Sequence, residues 1–273
     1  MSKPEMSRAG TGRGRSGDSR QAGAKGGRSA AAPVVRSAPP GLPGDRGSAA
    51  ILDWLARIGA GSAAEIAAVC GLTPRTAASR LRTLEQEGAV RSQRLLHGAP
   101  ALHALTRAGL RAAGRAELDP VIASAAGFAH LLHVARVAVA LEQAGHIVGG
   151  ERELRAFERL EARPLVSAEI GFAADGSVAR HHPDLVCWGP GRPIAIEVEL
   201  TVKAPERLAA IVRGWARSRL VGGVVYYATP AAARALGRAQ RSESAGGRVA
   251  VLALEAAGEV PPFEATSSVP SAA

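Results

Sequence analysis

The sequence predicts an α+β protein of two folded units between two tails, and three observations carry that expectation. Residues 49–87 hold three stretches with apolar side chains at helical spacing, each bounded by capping or turn residues, and two short strand-like runs follow them. From Asp119 onward a long helical segment, three strand-like runs, a helix, a strand, a second helix and a final strand succeed one another, as expected of an α/β unit with a mixed sheet. Within the third of those runs, Ile194-Ala195-Ile196-Glu197-Val198-Glu199-Leu200, acids alternate with apolar residues. Side chains on a strand alternate faces, so Ile196, Val198 and Leu200 share one face and Glu197 and Glu199 the other.

The first 48 residues carry nine basic and three acidic side chains, more than half of the net charge of +10. Rich in Gly, Ser, Arg and Pro, this segment buries too little to offset its ordering entropy, so a disordered basic tail is expected over 1–48, acting as a solubilising leader or as an arm that tracks DNA. A helix follows, with Ile51, Leu52, Leu55 and Ile58 on one side and Gly59-Ala60-Gly61 at its end. Ser62, with Glu65 at the capping-box position, opens a second helix over 63–70. After Gly71-Leu72-Thr73, Thr73 caps a third helix that starts at Pro74 and runs to about Glu87. Runs at 88–95 and 101–105 read as two strands around His97-Gly98-Ala99-Pro100, before Thr106 caps a further short helix.

This succession resembles the winged-helix family over residues 49–115. By that resemblance the third helix enters the major groove, Arg75, Thr76, Ser79, Arg80 and Arg82 contact bases and phosphates, and Arg91 and Arg94 on the wing touch the backbone of double-stranded DNA. No acid interrupts Thr73 to Leu84, which favours DNA over a protein-docking role. If Arg80 contacts phosphate, Arg80→Ala is expected to reduce the slope of log affinity against log salt by about one.

The second unit is expected over 119–256. Its first helical segment, 119–145, carries Phe128, Leu131, Leu132, Ala135, Val139 and Leu141, with His130 and His133 three apart as packed side chains or a metal pair. Glu153 follows as an additional candidate acid. Strands are expected at 166–172, after which Ala174-Asp175-Gly176 turns, at 184–188 and at 194–203, the last two joined through Gly189-Pro190-Gly191-Arg192-Pro193. Then come a helix at 205–220, a strand at 223–228, a helix at 230–239 and a strand at 249–254; residues 261–273 are expected to be a disordered end.

Asp184 on the second strand can face Glu197 on the third, and paired carboxylates beside apolar segments need a cation to remain ionised. Hard oxygen ligands without clustered Cys or His favour Mg²⁺ or Mn²⁺, held by Asp184, Glu197 and Glu199. The chain has 34 Lys plus Arg but only three lysines, two of them in the tail; the third, Lys203, lies four residues after Glu199. A compact ammonium there suits a phosphate whose charge is building. A structural acidic strand is the plainer alternative. Cys70 and Cys187 are too few and too far apart in context for a disulfide framework or a zinc cluster and fit a reducing cytoplasm. No apolar leader follows the first basic residues, and the longest apolar stretch, 121–141, is broken by His130, His133 and Arg136, so neither secretion nor membrane insertion is expected.

Pro183-Asp184, the spacing of thirteen residues to Glu197 and the order of strands and helices resemble the PD-(D/E)XK nuclease superfamily, whose restriction-endonuclease-like fold is thereby implied for the second unit. The chain departs from that pattern at Glu199, where a lysine is usual, and carries Lys203 at the end of the strand. Together with the winged helix, the His181-His182-Pro183-Asp184 box, the run from Glu197 to Arg207, the Val224-Val225-Tyr226-Tyr227 strand and an Ala-, Arg- and Gly-rich, actinobacterial-looking composition, it resembles the replication-relaxation family of plasmids and mobile elements over most of 48–256. That resemblance implies Asp184 and Glu197 as metal ligands, Glu199 as a further ligand or base, Lys203 as the stabiliser of phosphate charge, and a phosphate contact for His182. The implied function is a metal-dependent DNA endonuclease or nickase in replication, relaxation or transfer, acting alone or as a homodimer. The alternative is a replication factor or transcriptional regulator with a degraded site. A tyrosine nucleophile at Tyr226 or Tyr227 is disfavoured, because both sit in a strand suited to the core.

Overall fold

The computed structural model describes residues 46–261 and 263, and the expected tails fall almost wholly outside that range. Helix α1 (Arg46–Ile58) leads into α2 (Ala63–Val69) and α3 (Pro74–Gln86). Ser62 and Glu65 form the expected reciprocal capping box, and the Thr73 side chain accepts from Thr76 N with Pro74 in the first turn. Strands β2 (Val90–Gln93) and β3 (Leu102–Leu105) form the wing. Residues 60–61, expected only as a turn, add a two-residue strand β1 on the other side of β3. Thr106 caps α4 (Arg107–Ala112), and Gly109 of α4 lies against the Ala89 carbonyl so closely that a Cβ would come within 2.0 Å of it, which leaves room only for glycine.

The second unit is an α/β layer structure on a five-stranded mixed sheet. In chain order it runs α5 (Phe128–Gln143), β4 (Ile147–Gly150), α6 (Glu151–Glu161), β5 (Ala168–Phe172), β6 (Val178–His181), β7 (Leu185–Trp188), β8 (Ile194–Glu199), α7 (Pro205–Arg217), β9 (Gly223–Ala228), α8 (Pro230–Ser242) and β10 (Val249–Ala253). The sheet order is β10-β9-β8-β7-β4, parallel from β10 to β8 and antiparallel through β7 and β4. Three expectations change. The strand read at 166–172 does not join this sheet but pairs with β6 as a separate two-stranded ribbon, its register shifted between Glu169 and Gly171. Its place beside β7 is taken by β4, whose Ile-Val-Gly-Gly sequence carries no strand alternation. Residues 119–127 are irregular, so the helical segment begins at Phe128.

Side chains on the two faces of β8 part as alternation requires. Ile196 and Val198 join Leu185, Cys187, Val225 and Tyr227 under α5, in a core that also contains Ile51, Trp54 and Leu55 of α1. Ala195 lies on the other face with Val186, Val224 and Tyr226, covered by Leu208, Ile211 and Trp215 of α7 and Leu236 of α8. One apolar core therefore runs from the three-helix unit into the sheet. Polar clamps reinforce the junction. Arg57 of α1 donates to the Val148 carbonyl on β4 and pairs with Glu142 of α5 at 2.7 Å, while Arg152 of α6 donates to the Ala56 carbonyl at 3.0 Å, at the end of α1 where carbonyls lack helical partners. Gly150 passes so near Arg57 that a Cβ would lie 2.4 Å from its carbonyl oxygen.

Among the described residues no helix is long and apolar enough to cross a membrane. Phe263 packs against Gly223, so part of the expected C-terminal tail is docked; the remainder of that tail lies outside the described residues.

Candidate functional site

Two constellations stand out, one on the winged helix and one at the carboxyl end of β8. On α3, Arg75, Ser79 and Arg82 are exposed, whereas Ala77, Leu81 and Leu84 are buried against α1 and the wing. Arg75 and Arg82, seven residues apart, fall on one stripe of the helix. With Arg94 at the wing they line a groove of about 470 Å³ whose opposite wall is the first turn of α2, Ser62 to Ala64. Glu85 holds the wing to α3, accepting from Ser92 N and Oγ, and Ser92 Oγ lies 2.8 Å from His103 Nδ1.

Other expected contacts are committed elsewhere. Thr76 is engaged with Thr73 in the cap. Arg80 turns toward the start of α1, its guanidinium lying where a Cβ on Gly47 would be, and Arg91 donates to the Val121 carbonyl at 2.8 Å, tying the wing to the connection before α5. The Arg91 bond spans 30 positions, and the Arg80 guanidinium lies beside Gly47, 33 positions away. The salt-slope expectation accordingly passes from Arg80 to Arg82: Arg82→Ala is expected to reduce the slope by about one and Arg80→Ala to leave it unchanged, in titrations of duplex binding against salt.

At the second constellation, Asp184 precedes β7 and Glu197 lies on β8. The Asp184 carboxylate accepts from Val198 N at 2.8 Å through Oδ2, and its Oδ1 is 3.0 Å from His130 Nε2 of α5. Glu197, 5 % exposed, accepts from Trp215 Nε1 at 3.0 Å and meets His181 Nε2 at 2.7 Å, with the His181 and Trp215 rings edge-on at 6.0 Å. Tyr226 lies opposite Glu197 in the β8–β9 register, its side chain buried. Glu199 lies one pleat further along the same face, engaged by Lys203 Nζ.

The charges of this cluster feel one another. Burial pushes Glu197 above the usual carboxylate range, and Asp184 pushes the same way against His181 and Lys203. The hydrogen bond to Asp184 raises His130 despite burial; burial lowers His181, but the Glu197 charge and hydrogen bond outweigh it and the net shift is upward. The Lys203 ammonium is lowered by burial, with Glu197 and Asp184 opposing. Thus Lys203, although it follows the strand, comes back to within electrostatic reach of both leading acids.

Of the expected site residues, Asp184, Glu197, Glu199 and Lys203 meet at one end of the sheet. His182 does not join them: its Nε2 is 2.7 Å from Glu158, which also accepts from Leu165 N and Val166 N, so it anchors α6 rather than facing an open site. Glu153 pairs with Arg115 at 2.7 Å, remote from this cluster in its contacts. His130, His181, Trp215 and Tyr226 were not legible as site residues. The spacing of His130 and His133 favours packed helix histidines over a metal pair, and His130 meets Asp184; His181 stands only as part of the His-His-Pro-Asp box, and Tyr226 as a strand residue suited to the core. Tyr226 and Tyr227 are both buried, in keeping with packing.

Among the described residues no group of three or more His, Cys, Asp and Glu side chains is arranged to hold a metal ion. The three-carboxylate set expected from the sequence is therefore reduced by the engagement of Glu199 with Lys203, leaving Asp184 and Glu197. Two carboxylates suit Mg²⁺ of the kind that takes its remaining ligands from phosphate oxygens and water. Cys70 and Cys187 are free thiols pushed by burial to about 11 and about 12, inert at neutral pH.

Residues 48–94 match the IclR helix-turn-helix domain, in agreement with the DNA-binding geometry of α2, α3 and the wing. No curated protein matches the chain.

Proposed function

We propose that this chain is a DNA-binding protein of a plasmid or mobile element that hydrolyses a phosphodiester of its bound DNA, as an endonuclease or nickase of the replication-relaxation type on a PD-(D/E)XK-like fold. The observation that supports this reading is that Asp184 and Glu197 lie together at the end of β8 where Glu199 engages Lys203, so that two acids and a lysine share one end of the sheet although Glu199 occupies the usual lysine position. Asp184 and Glu197 are the residues that would hold Mg²⁺ or Mn²⁺. When bound, that ion polarises the phosphate and lowers the pKa of its water.

The side chains have separable tasks. Trp215 and His181 orient the Glu197 carboxylate, Val198 N and His130 orient that of Asp184, and Glu199 fixes the Lys203 ammonium. Lys203 then offsets negative charge on the phosphate oxygens. A homodimer would place two such sites on one duplex and make paired cuts.

The test is conversion of supercoiled plasmid carrying the DNA around this gene to open-circle or linear form in Mg²⁺ or Mn²⁺, with wild type and Glu197→Ala. Metal-dependent conversion that disappears in the variant supports hydrolysis. Binding by both proteins without conversion by either turns the reading to a non-cleaving regulator or replication factor. That second reading is favoured by the IclR-type match and by the engagement of Glu197 from two sides.

A further inference from the structure

Helix α5 joins the two constellations, and its solvent side is unlike the rest of it. Val134, Ala135, Val137, Ala138, Val139 and Leu141 are buried, while His130, His133 and Arg136 remain at least partly exposed at successive intervals of three. Residues three apart are neighbours on a helix surface, so these form one row, and no acid of α5 lies among them. The row has defined ends. At one end His130 meets Asp184 of the carboxylate cluster; at the other Arg136 pairs with Glu65 of α2 at 3.3 Å. Glu65 belongs to the same first turn of α2 whose Ser62 to Ala64 wall the groove beside Arg75 and Arg82. His133, between the ends, has no acidic neighbour among the influences on it: burial lowers it first, then the adjacent cations Arg136 and His130.

We propose that this α5 row is a phosphate-backbone track, along which a DNA duplex held by the winged helix continues to the Asp184, Glu197 and Lys203 cluster. The inference rests on the proposed action of that cluster on DNA. Continuity decides the occupant: the row of N–H donors runs from an arginine-lined groove to the end of the sheet that holds a half-exposed lysine, and DNA is the polyanion that a helix-turn-helix already holds. Imidazole N–H and guanidinium donors bind phosphate oxygens without reading sequence. Winged helix and catalytic cluster would then share one substrate molecule and one register.

The experiment uses the full chain and two random-sequence duplexes, one of about 12 base pairs that spans the winged helix alone and one of about 30 that extends beyond it. Affinity is measured against salt for wild type, His133→Glu and His133→Gln. Glutamate at 133 faces His130 and Arg136 at helical spacing, so the helix keeps its stability, and binding of the short duplex reports that the winged helix is intact. On the long duplex, His133→Glu is expected to weaken binding about tenfold and reduce the salt slope by about one, with His133→Gln keeping the wild-type slope and the short duplex unaffected. Equal affinity of wild type and variants for the long duplex, or equal weakening on both lengths, overturns the track. Loss of the hydrolysis reading has a different signature: the length-dependent effect of His133→Glu persists while plasmid is never cut.

Discussion

Lys203→Met is expected to lower metal-dependent plasmid conversion by about 10²–10³-fold, the scale on which removal of one pre-aimed stabiliser of transition-state charge acts. Duplex affinity should stay within a factor of about three, because the helix-turn-helix region, and not this cluster, is expected to hold the duplex. The comparison with Lys203→Arg adds detail. An ammonium is a compact point charge, whereas a guanidinium is a wide planar fork, and Glu199 holds the ammonium in a partly buried space beside Glu197. Arginine is therefore expected to recover less than about a tenth of the lost rate. Cleavage undiminished in Lys203→Met would remove this residue from the chemistry and leave Glu199 and Lys203 as a structural ion pair.

Arg57→Ala is expected to lower the stability of the whole molecule by about 3 kcal/mol, measured by urea unfolding. The side chains of Arg57 and Glu142 are only 16 % and 15 % exposed, so removal of the arginine strands a nearly buried carboxylate and leaves the Val148 carbonyl without its donor. The burial of Arg57 acts against its charge, yet Glu142 and Asp53 more than offset it, and its pKa is raised. The place of the loss matters as much as its size. Since α1 contributes to the core under the sheet and is clamped to β4 and α6, the two units are expected to unfold together, with far-ultraviolet circular dichroism and tryptophan fluorescence giving coincident transitions in wild type and variant. Two separated transitions, with only the first shifted by Arg57→Ala, would show instead that the units are thermodynamically independent.

Local chemistry made the first unit readable. Ser62 with Glu65, Thr73 with Pro74, and Thr106 each mark a helix start through bonds that span two or three residues, and the helices begin where those signals place them. The acidic strand was readable for the same reason, because alternation is a property of the chain itself and sends Glu197 and Glu199 to the face opposite Ile196 and Val198. Glu151–Glu161 carries Leu154, Phe157 and Leu160 at helical spacing, so the period of α6 is present in the sequence although no helix was expected there; Leu154 and Ala156 are buried.

By itself, then, the sequence determined an α+β chain with an N-terminal helix-turn-helix, the faces of β8, and the acids and lysine that could cooperate. Tertiary structure alone decided that β4 rather than β5 lies beside β7, that Arg80 and Arg91 turn inward, and that His130, His181 and Trp215 surround the carboxylates. Those outcomes depend on contacts between residues far apart along the chain. His130 reaches Asp184 across 54 positions, and Trp215 reaches Glu197 across 18, only after α5 and α7 have packed on opposite faces of the sheet. A pattern of neighbours encodes which face a side chain takes; what it finds there is fixed by the competition among whole elements for the same buried surface.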